Sequence, residues 1–268
     1  MTPEEKYLFD LQGYLVIGDV LSDELLGRIN ETIDRLEALD DAEVAAREAA
    51  RKYVKDDNVY AQKGIQTETS PGDYSCNVLA YGGVFEELID LPTTLPYIEE
   101  MIGKSCRLDA VSFLSRNSAG AFRFHHGYAE LLPYSEYAIE GEQFKCVSVK
   151  IGYALTDVGV EDGCFAVIPG SHKSNFTNPL VGLVPDAAHR LVEPLPCKAG
   201  DAVLFSEDLS HGAVENCSGK VRRTLFYSYA PVFHVTWREL ADTAAGFAQR
   251  ANPRRLELVA GALPFGAV

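Results

Sequence analysis

"VSVKIGYAL", residues 147–155, decides the fold class. Val147, Val149, Ile151, Tyr153 and Leu155 alternate with Ser148, Lys150, Gly152 and Ala154, a period of two that a strand turns into two distinct faces. Similar short β-rich segments recur downstream: "FAVIPG" (165–170) after the turn "EDG" (161–163), "DAVLF" (201–205) after "KAG" (198–200), and "RRTLFYSYA" (222–230). Such segments, separated by glycine turns and with no helices between them, argue against a parallel α/β sheet. They predict a sandwich or jelly roll from Cys106 onward.

Upstream the period lengthens. After "GYLVIGDVL" (13–21), Ser22 can cap a helix with Asp23 and Glu24 in its first turn and Leu21 and Leu26 as a hydrophobic staple. Leu25, Leu26, Ile29, Ile33 and Leu36 then form one apolar face. "DAEVAAREAARKYV" (41–54) reads as a second helix and "TLPYIEEMIGK" (94–104) as a third, ending near Gly103. Residues 55–83 read as a long loop with turns at Pro71-Gly72 and Gly82-Gly83, and "WRELADTAAGFAQR" (237–250) as a closing helix. No internal repeat appears. The expectation is one domain over 1–268, with residues 1–104 mostly helical, a β core over 105–232, and a C-terminal helix and tail over 233–268.

Composition narrows the function classes. Of 268 residues 47% are hydrophobic, enough for a substantial core, and 39 acidic against 24 basic residues give a net charge of −15. That charge argues against binding a nucleic-acid backbone. No run is long and apolar enough for a membrane span, and the first 30 residues lack the basic start and apolar run of a secretory signal. Cys76, Cys106, Cys146, Cys164, Cys197 and Cys217 are scattered without a C-x-x-C pair, which argues against a structural zinc or a disulfide framework and for a reducing, cytoplasmic home.

The chain has six histidines, at 125, 126, 172, 189, 211 and 234. His189 and His234 read as surface or packing residues. His125 and His211 each lie within two residues of a glycine near a strand end, where side chains could converge on a metal.

In order and spacing, "FHHG" (124–127), "YALTDVGVEDGCFAVIPGSHK" (153–173), "AGDAVLF" (199–205) and "LSHGAVENCSGKVRRTLFYSYAP" (209–231) resemble the phytanoyl-CoA dioxygenase-like branch of the Fe(II)/2-oxoglutarate oxygenases. The resemblance runs from about residue 10 to residue 232, and "FDLQGYLVIGDVLSDELL" (9–26) suits it too. It implies a mainly β fold with flanking helices, a double-stranded β-helix of the jelly-roll, cupin-like kind, and an oxidoreductase that uses Fe(II), 2-oxoglutarate and O2. By the family pattern His125 is the first metal ligand and His211 the second, in a facial site that leaves positions open for cosubstrate and oxygen. The same pattern places an arginine about eleven residues past the distal histidine, at Arg222, to pair with the far carboxylate of 2-oxoglutarate, a task suited to a planar guanidinium. Arg223 then falls on the opposite face. "PGSHK" (169–173) reads as a turn, with His172 and Lys173 organising a loop or touching substrate.

One position departs from the family. The third ligand of an H-x-D/E triplet falls at Gly127, on the same strand face as His125. No other histidine supplies the motif, because Tyr128, Ser174, Leu191, Ala213 and Thr236 stand two residues beyond the rest. Three readings follow. A halide, chloride first, fills the vacancy at Gly127 and the enzyme chlorinates an aliphatic C–H bond, as radical halogenases of the superfamily with glycine or alanine here do. Alternatively, water or a more distant carboxylate such as Glu130, which has the opposite parity, completes a hydroxylase with an atypical two-histidine site. Finally, the barrel binds a ligand without catalysis. The substrate is expected to be a small molecule, freestanding or tethered to a carrier, beneath a lid formed by 55–83 and 128–144. Arg123 and Lys150 read either as anion contacts or as solvated charges.

Overall fold

A computed structural model of the chain describes residues 1–38, 74–76, 78–80, 82–116, 121–126, 137–234 and 246–260. The helix expected over 41–54, most of the 55–83 stretch, Gly127 and Glu130 lie outside the described residues.

The N-terminal helix α1 (Pro3–Gln12) is set by a reciprocal cap: Thr2 accepts from the Glu5 amide, the Glu5 carboxylate accepts from the Thr2 amide, and Pro3 opens the first turn. It ends at Gly13, which takes a left-handed φ of 85°. Strand β1 (Tyr14–Ile17) follows, and then α2 (Asp23–Glu37) begins as its sequence predicts, with Ser22 capping the Leu25 amide. Leu25, Ile29, Ile33 and Leu36 of α2 are buried. The 55–83 stretch is not all loop: it supplies β2 (Tyr74–Cys76), a 3-10 turn at Val78–Ala80 and the start of the short α3 (Gly83–Glu86). Helix α4 (Leu95–Ile102) stops before Gly103 as expected.

Two antiparallel sheets form the body. The larger runs β1, β10 (Ala202–Ser206), β7 (Val149–Ala154), β12 (Arg222–Pro231), β3 (Cys106–Arg116), β2. The smaller runs β4 (Phe122–His125), β11 (His211–Ala213), β8 (Phe165–Val167), β9 (Glu193–Leu195), and a separate hairpin joins β5 (Ala138–Glu140) to β6 (Gln143–Lys145). This is the expected jelly roll, mainly β with flanking helices.

The two faces of the larger sheet have different jobs. Ile151, Tyr153, Leu204, Leu225 and Tyr227 share one core with Ile29 and Ile33 of α2 and with Ile98 and Met101 of α4. Buried tyrosine hydroxyls tie this face to the helical layer: Tyr227 donates to the Phe85 carbonyl at 2.6 Å and Tyr229 to the Ile89 carbonyl at 2.8 Å. The opposite parity, Gly152, Ala154, Val203, Arg222, Thr224 and Phe226, lines a cleft between the sheets. The small and polar half of the alternation is therefore the lining of the interior and not a solvent face. Gly152 is part of that shape, since a β-carbon there would stand 2.7 Å from the Phe226 ring.

The closing helix expected over 237–250 is corrected where its residues are described. Gly246 sits at φ 78°, outside helical space, and only α5 (Phe247–Arg250) follows it. A separate helix α6 (Pro253–Leu258) then starts under an Asn252 cap with Pro253 in its first turn. Arg250 pairs with buried Glu86 at 2.5 Å and Arg255 with Asp90 at 2.7 Å, docking this end on the α3 region.

Candidate active site

His125 ends β4 and His211 opens β11, and the two are direct partners across that antiparallel pair. The register brings their rings to 4.1 Å between centroids, at 57°. Both side chains are buried. Nδ1 of His125 lies 2.9 Å from the Arg123 carbonyl, and Nδ1 of His211 lies 2.7 Å from the Leu209 carbonyl. A carbonyl can only accept, so in each neutral ring Nδ1 carries the proton and Nε2 carries the lone pair. Metal-bound histidines commonly have this second-nitrogen anchor.

Burial pulls the His125 pKa down to about 4 and holds His211 well below its usual value, with the neighbouring His125 as a further cause. Both rings are thus neutral at pH 7, the form a metal ion requires. Phe122 packs 4.8 Å from His125, and Phe205 and Phe165 pack 4.8 and 5.5 Å from His211. These aromatic walls keep bulk water from the pair. The donor set fits a first-row divalent ion such as iron. Among the described residues no three histidine, cysteine or carboxylate side chains already converge on one point, and Gly127 lies outside them.

Arg222 opens β12 opposite Arg116 and is 5% exposed. Its Nε donates to Thr224 Oγ1 at 3.3 Å and its Nη1 donates to the Gly163 carbonyl, so the guanidinium is oriented by neutral acceptors. Among the described residues no carboxylate pairs with it. Burial and the adjacent Arg116 pull its pKa to about 10, which still leaves it a cation at pH 7. Phe165 belongs both to the cleft that Arg222 lines and to the wall beside His211, so it links the guanidinium to the histidine pair. A largely apolar cleft holding a cation that no described carboxylate neutralises, and sharing the Phe165 wall with the histidine pair, fits a short dicarboxylate.

Arg223 faces the other way, pairing with Asp34 at 2.7 Å and with Glu37, and so clamps α2 to β12. "PGSHK" is a turn: Gly170 takes φ 77°, Ser171–Lys173 form a 3-10 turn, and Ser171 Oγ accepts from the Ser210 amide at 2.8 Å. That bond fixes the approach to His211. His172 is buried against Tyr137, 4.5 Å between ring centres, and Lys173 pairs with Asp10 at 3.1 Å. Arg123 donates to the Gly182 carbonyl at 3.0 Å. Lys150 is not a solvated charge; it is largely buried and ion-paired with Glu207. Glu207 is a site residue that the motifs do not single out, although it continues the inward parity of Val203 and Phe205 past the end of β10.

Acid should destabilise the metal-free protein. His125 and His172, each with its pKa pulled to about 4 by burial, and His211, shifted the same way, are neutral when folded but take protons near pH 6.5 when unfolded. Their stabilisation is complete above about pH 6.5 and is lost as pH falls toward 4. Thermal melts of metal-free protein should show a falling Tm from pH 7 to pH 5. A flat Tm over that range would contradict neutral burial.

Residues 100–224, which span most of the β core, match the model of the family described as Phytanoyl-CoA dioxygenase (PhyH). Over 272 residues the chain is 22% identical to phytanoyl-CoA dioxygenase domain-containing protein 1 of Danio rerio, an alignment covering 88% of this chain and 92% of the relative. In fold it is similar to HygX from Streptomyces hygroscopicus in its crystal structure with nickel, 2-oxoglutarate and hygromycin B bound, with a TM-score of 0.69, 22% identity, and 91% of this chain and 94% of HygX covered. It is also similar to SnoN, the non-heme alpha ketoglutarate dependent epimerase from nogalamycin biosynthesis, with a TM-score of 0.57, 18% identity, and 85% and 80% covered.

Proposed function

We propose that the chain is a non-haem Fe(II)/2-oxoglutarate-dependent oxidoreductase acting on an unactivated C–H bond of a small molecule. The observation that carries this is the pairing of His125 with His211, both neutral and anchored through Nδ1, with Phe165 packing on His211 and lining the cleft that holds Arg222. The relatives support it: HygX has been crystallised with nickel, 2-oxoglutarate and hygromycin B, and SnoN with Fe3+, alpha ketoglutarate and nogalamycin RO. The chemistry that iron and 2-oxoglutarate supply when bound is oxidative use of O2, with the keto acid leaving as succinate and CO2.

The protein's contribution is positional. Nε2 of each histidine holds the ion while the Arg123 and Leu209 carbonyls keep the protons on Nδ1. Arg222, aimed by Thr224 and Gly163, takes the distal carboxylate of the cosubstrate. Phe122, Phe165 and Phe205 exclude water from the reacting region.

A second, finer reading is chlorination, favoured by the missing side chain at Gly127. Chloride there would restore the single negative charge that the family's carboxylate provides. Succinate release under O2 in the presence of Fe(II), with product masses compared with and without chloride, tests both readings. Iron-dependent succinate release supports the oxidoreductase, and its absence rejects it. A chlorinated product selects the second reading, and oxygen incorporation indifferent to halide removes it.

A further inference from the structure

The carboxylate absent from the His125 triplet has a buried counterpart elsewhere on the inner face. Glu207 continues the inward set of Val203 and Phe205, and its side chain is only 10% exposed. It is ion-paired with Lys150, whose side chain is 15% exposed. The Lys150 ammonium stands 5.9 Å from the centre of the Phe205 ring, the same ring that packs 4.8 Å from His211. Beyond the ion contact, Glu207 Oε1 is sealed from solvent and accepts no hydrogen bond from the described residues.

A buried ion pair is costly to desolvate, so its placement calls for a reason beyond stability. A dication held by two neutral imidazoles would be repelled by Lys150 and attracted by Glu207. Its double charge lets it outcompete an ammonium for the same carboxylate. We propose that Glu207 is the acidic member of the metal site, leaving Lys150 when the ion is loaded and providing the carboxylate that Gly127 cannot. The inference rests on the assignment of His125 and His211 as ligands. Because the three side chains do not converge in this structure, it requires rotation about the Glu207 side-chain torsions. Its functional corollary is that a protein carboxylate, and not a halide, fills the vacancy, which favours hydroxylation over chlorination.

Titration of the full chain with Co(II), without 2-oxoglutarate, tests this through affinity and through the visible Co(II) spectrum. Glu207→Gln should weaken Co(II) binding by at least the roughly 10- to 100-fold that loss of an outer-shell partner costs, with an altered spectrum, whereas Lys150→Met should bind at least as tightly as the parent. If Glu207→Gln folds poorly, the charge-free double variant Lys150→Met/Glu207→Gln preserves the packing and should show the same weakening. Unchanged affinity and spectrum in Glu207→Gln would overturn the proposal. So would equal weakening in Lys150→Met, which would make the pair a structural unit. His211→Ala separates the two levels: Co(II) binding lost there but kept in Glu207→Gln rejects only the role of Glu207, while binding that survives His211→Ala rejects the histidine site itself.

Discussion

His211→Ala should abolish metal-dependent activity and weaken metal binding by more than the roughly 10- to 100-fold that loss of an outer-shell partner costs. The imidazole is buried, its Nδ1 is committed to the Leu209 carbonyl, and its ring lies 4.1 Å from that of His125. Its removal leaves His125 and the carboxylate proposed above, an incomplete donor set for a first-row ion. The fold should survive, because the truncation lies inside an aromatic cage at a strand start and outside the main core. Metal titration alongside a thermal melt checks both halves. Wild-type metal affinity in a folded His211→Ala protein would remove the histidine pair from the mechanism.

Arg222→Met should weaken 2-oxoglutarate binding by about 2–5 kcal/mol, the usual cost of truncating one partner of a buried, hydrogen-bonded charge pair. That is roughly 30-fold to several thousandfold. Metal affinity should change little, because Arg222 belongs to the cleft and the histidines to the register between β4 and β11. The variant also removes one of two like charges facing each other across β12 and β3, so stability should hold or rise. Anaerobic binding of 2-oxoglutarate to the metal-loaded protein measures the effect. Arg223→Met is the contrast: it loosens α2 from β12 and should leave cosubstrate affinity near that of the parent.

Much of the fold is legible in the chain, and the gaps have physical causes. Alternation in 147–155 announces a two-faced strand, but a period of two does not say which face meets which layer. Here the odd residues lie under helices and the even ones line the cleft, so Lys150 looks like a solvated charge until its partner across the fold is in place. Glu207 is hidden for the same reason, since its inward parity depends on β10 and its partner lies 57 residues upstream in sequence. The α1 cap of Thr2, Pro3 and Glu5 is a signal readable in sequence that the apolar pattern of the first residues does not announce. In "WRELADTAAGFAQR" helical composition outweighs Gly246, whose left-handed backbone breaks the described stretch of the segment. His125, His211 and Arg222, by contrast, come from the ordered resemblance. Their burial, the β4–β11 register that pairs the histidines, and the Phe165 ring shared by His211 and the Arg222 cleft give that spacing a physical reason.

If the His125–His211 pair and Arg222 together hold Fe(II) and 2-oxoglutarate, the most direct measurement is the visible charge-transfer band formed when both are added to the protein without oxygen. The parent protein should give a saturable band that is lost in His211→Ala and that requires much higher 2-oxoglutarate in Arg222→Met. A parent protein that gives no band, or a band untouched by both substitutions, would contradict that assignment.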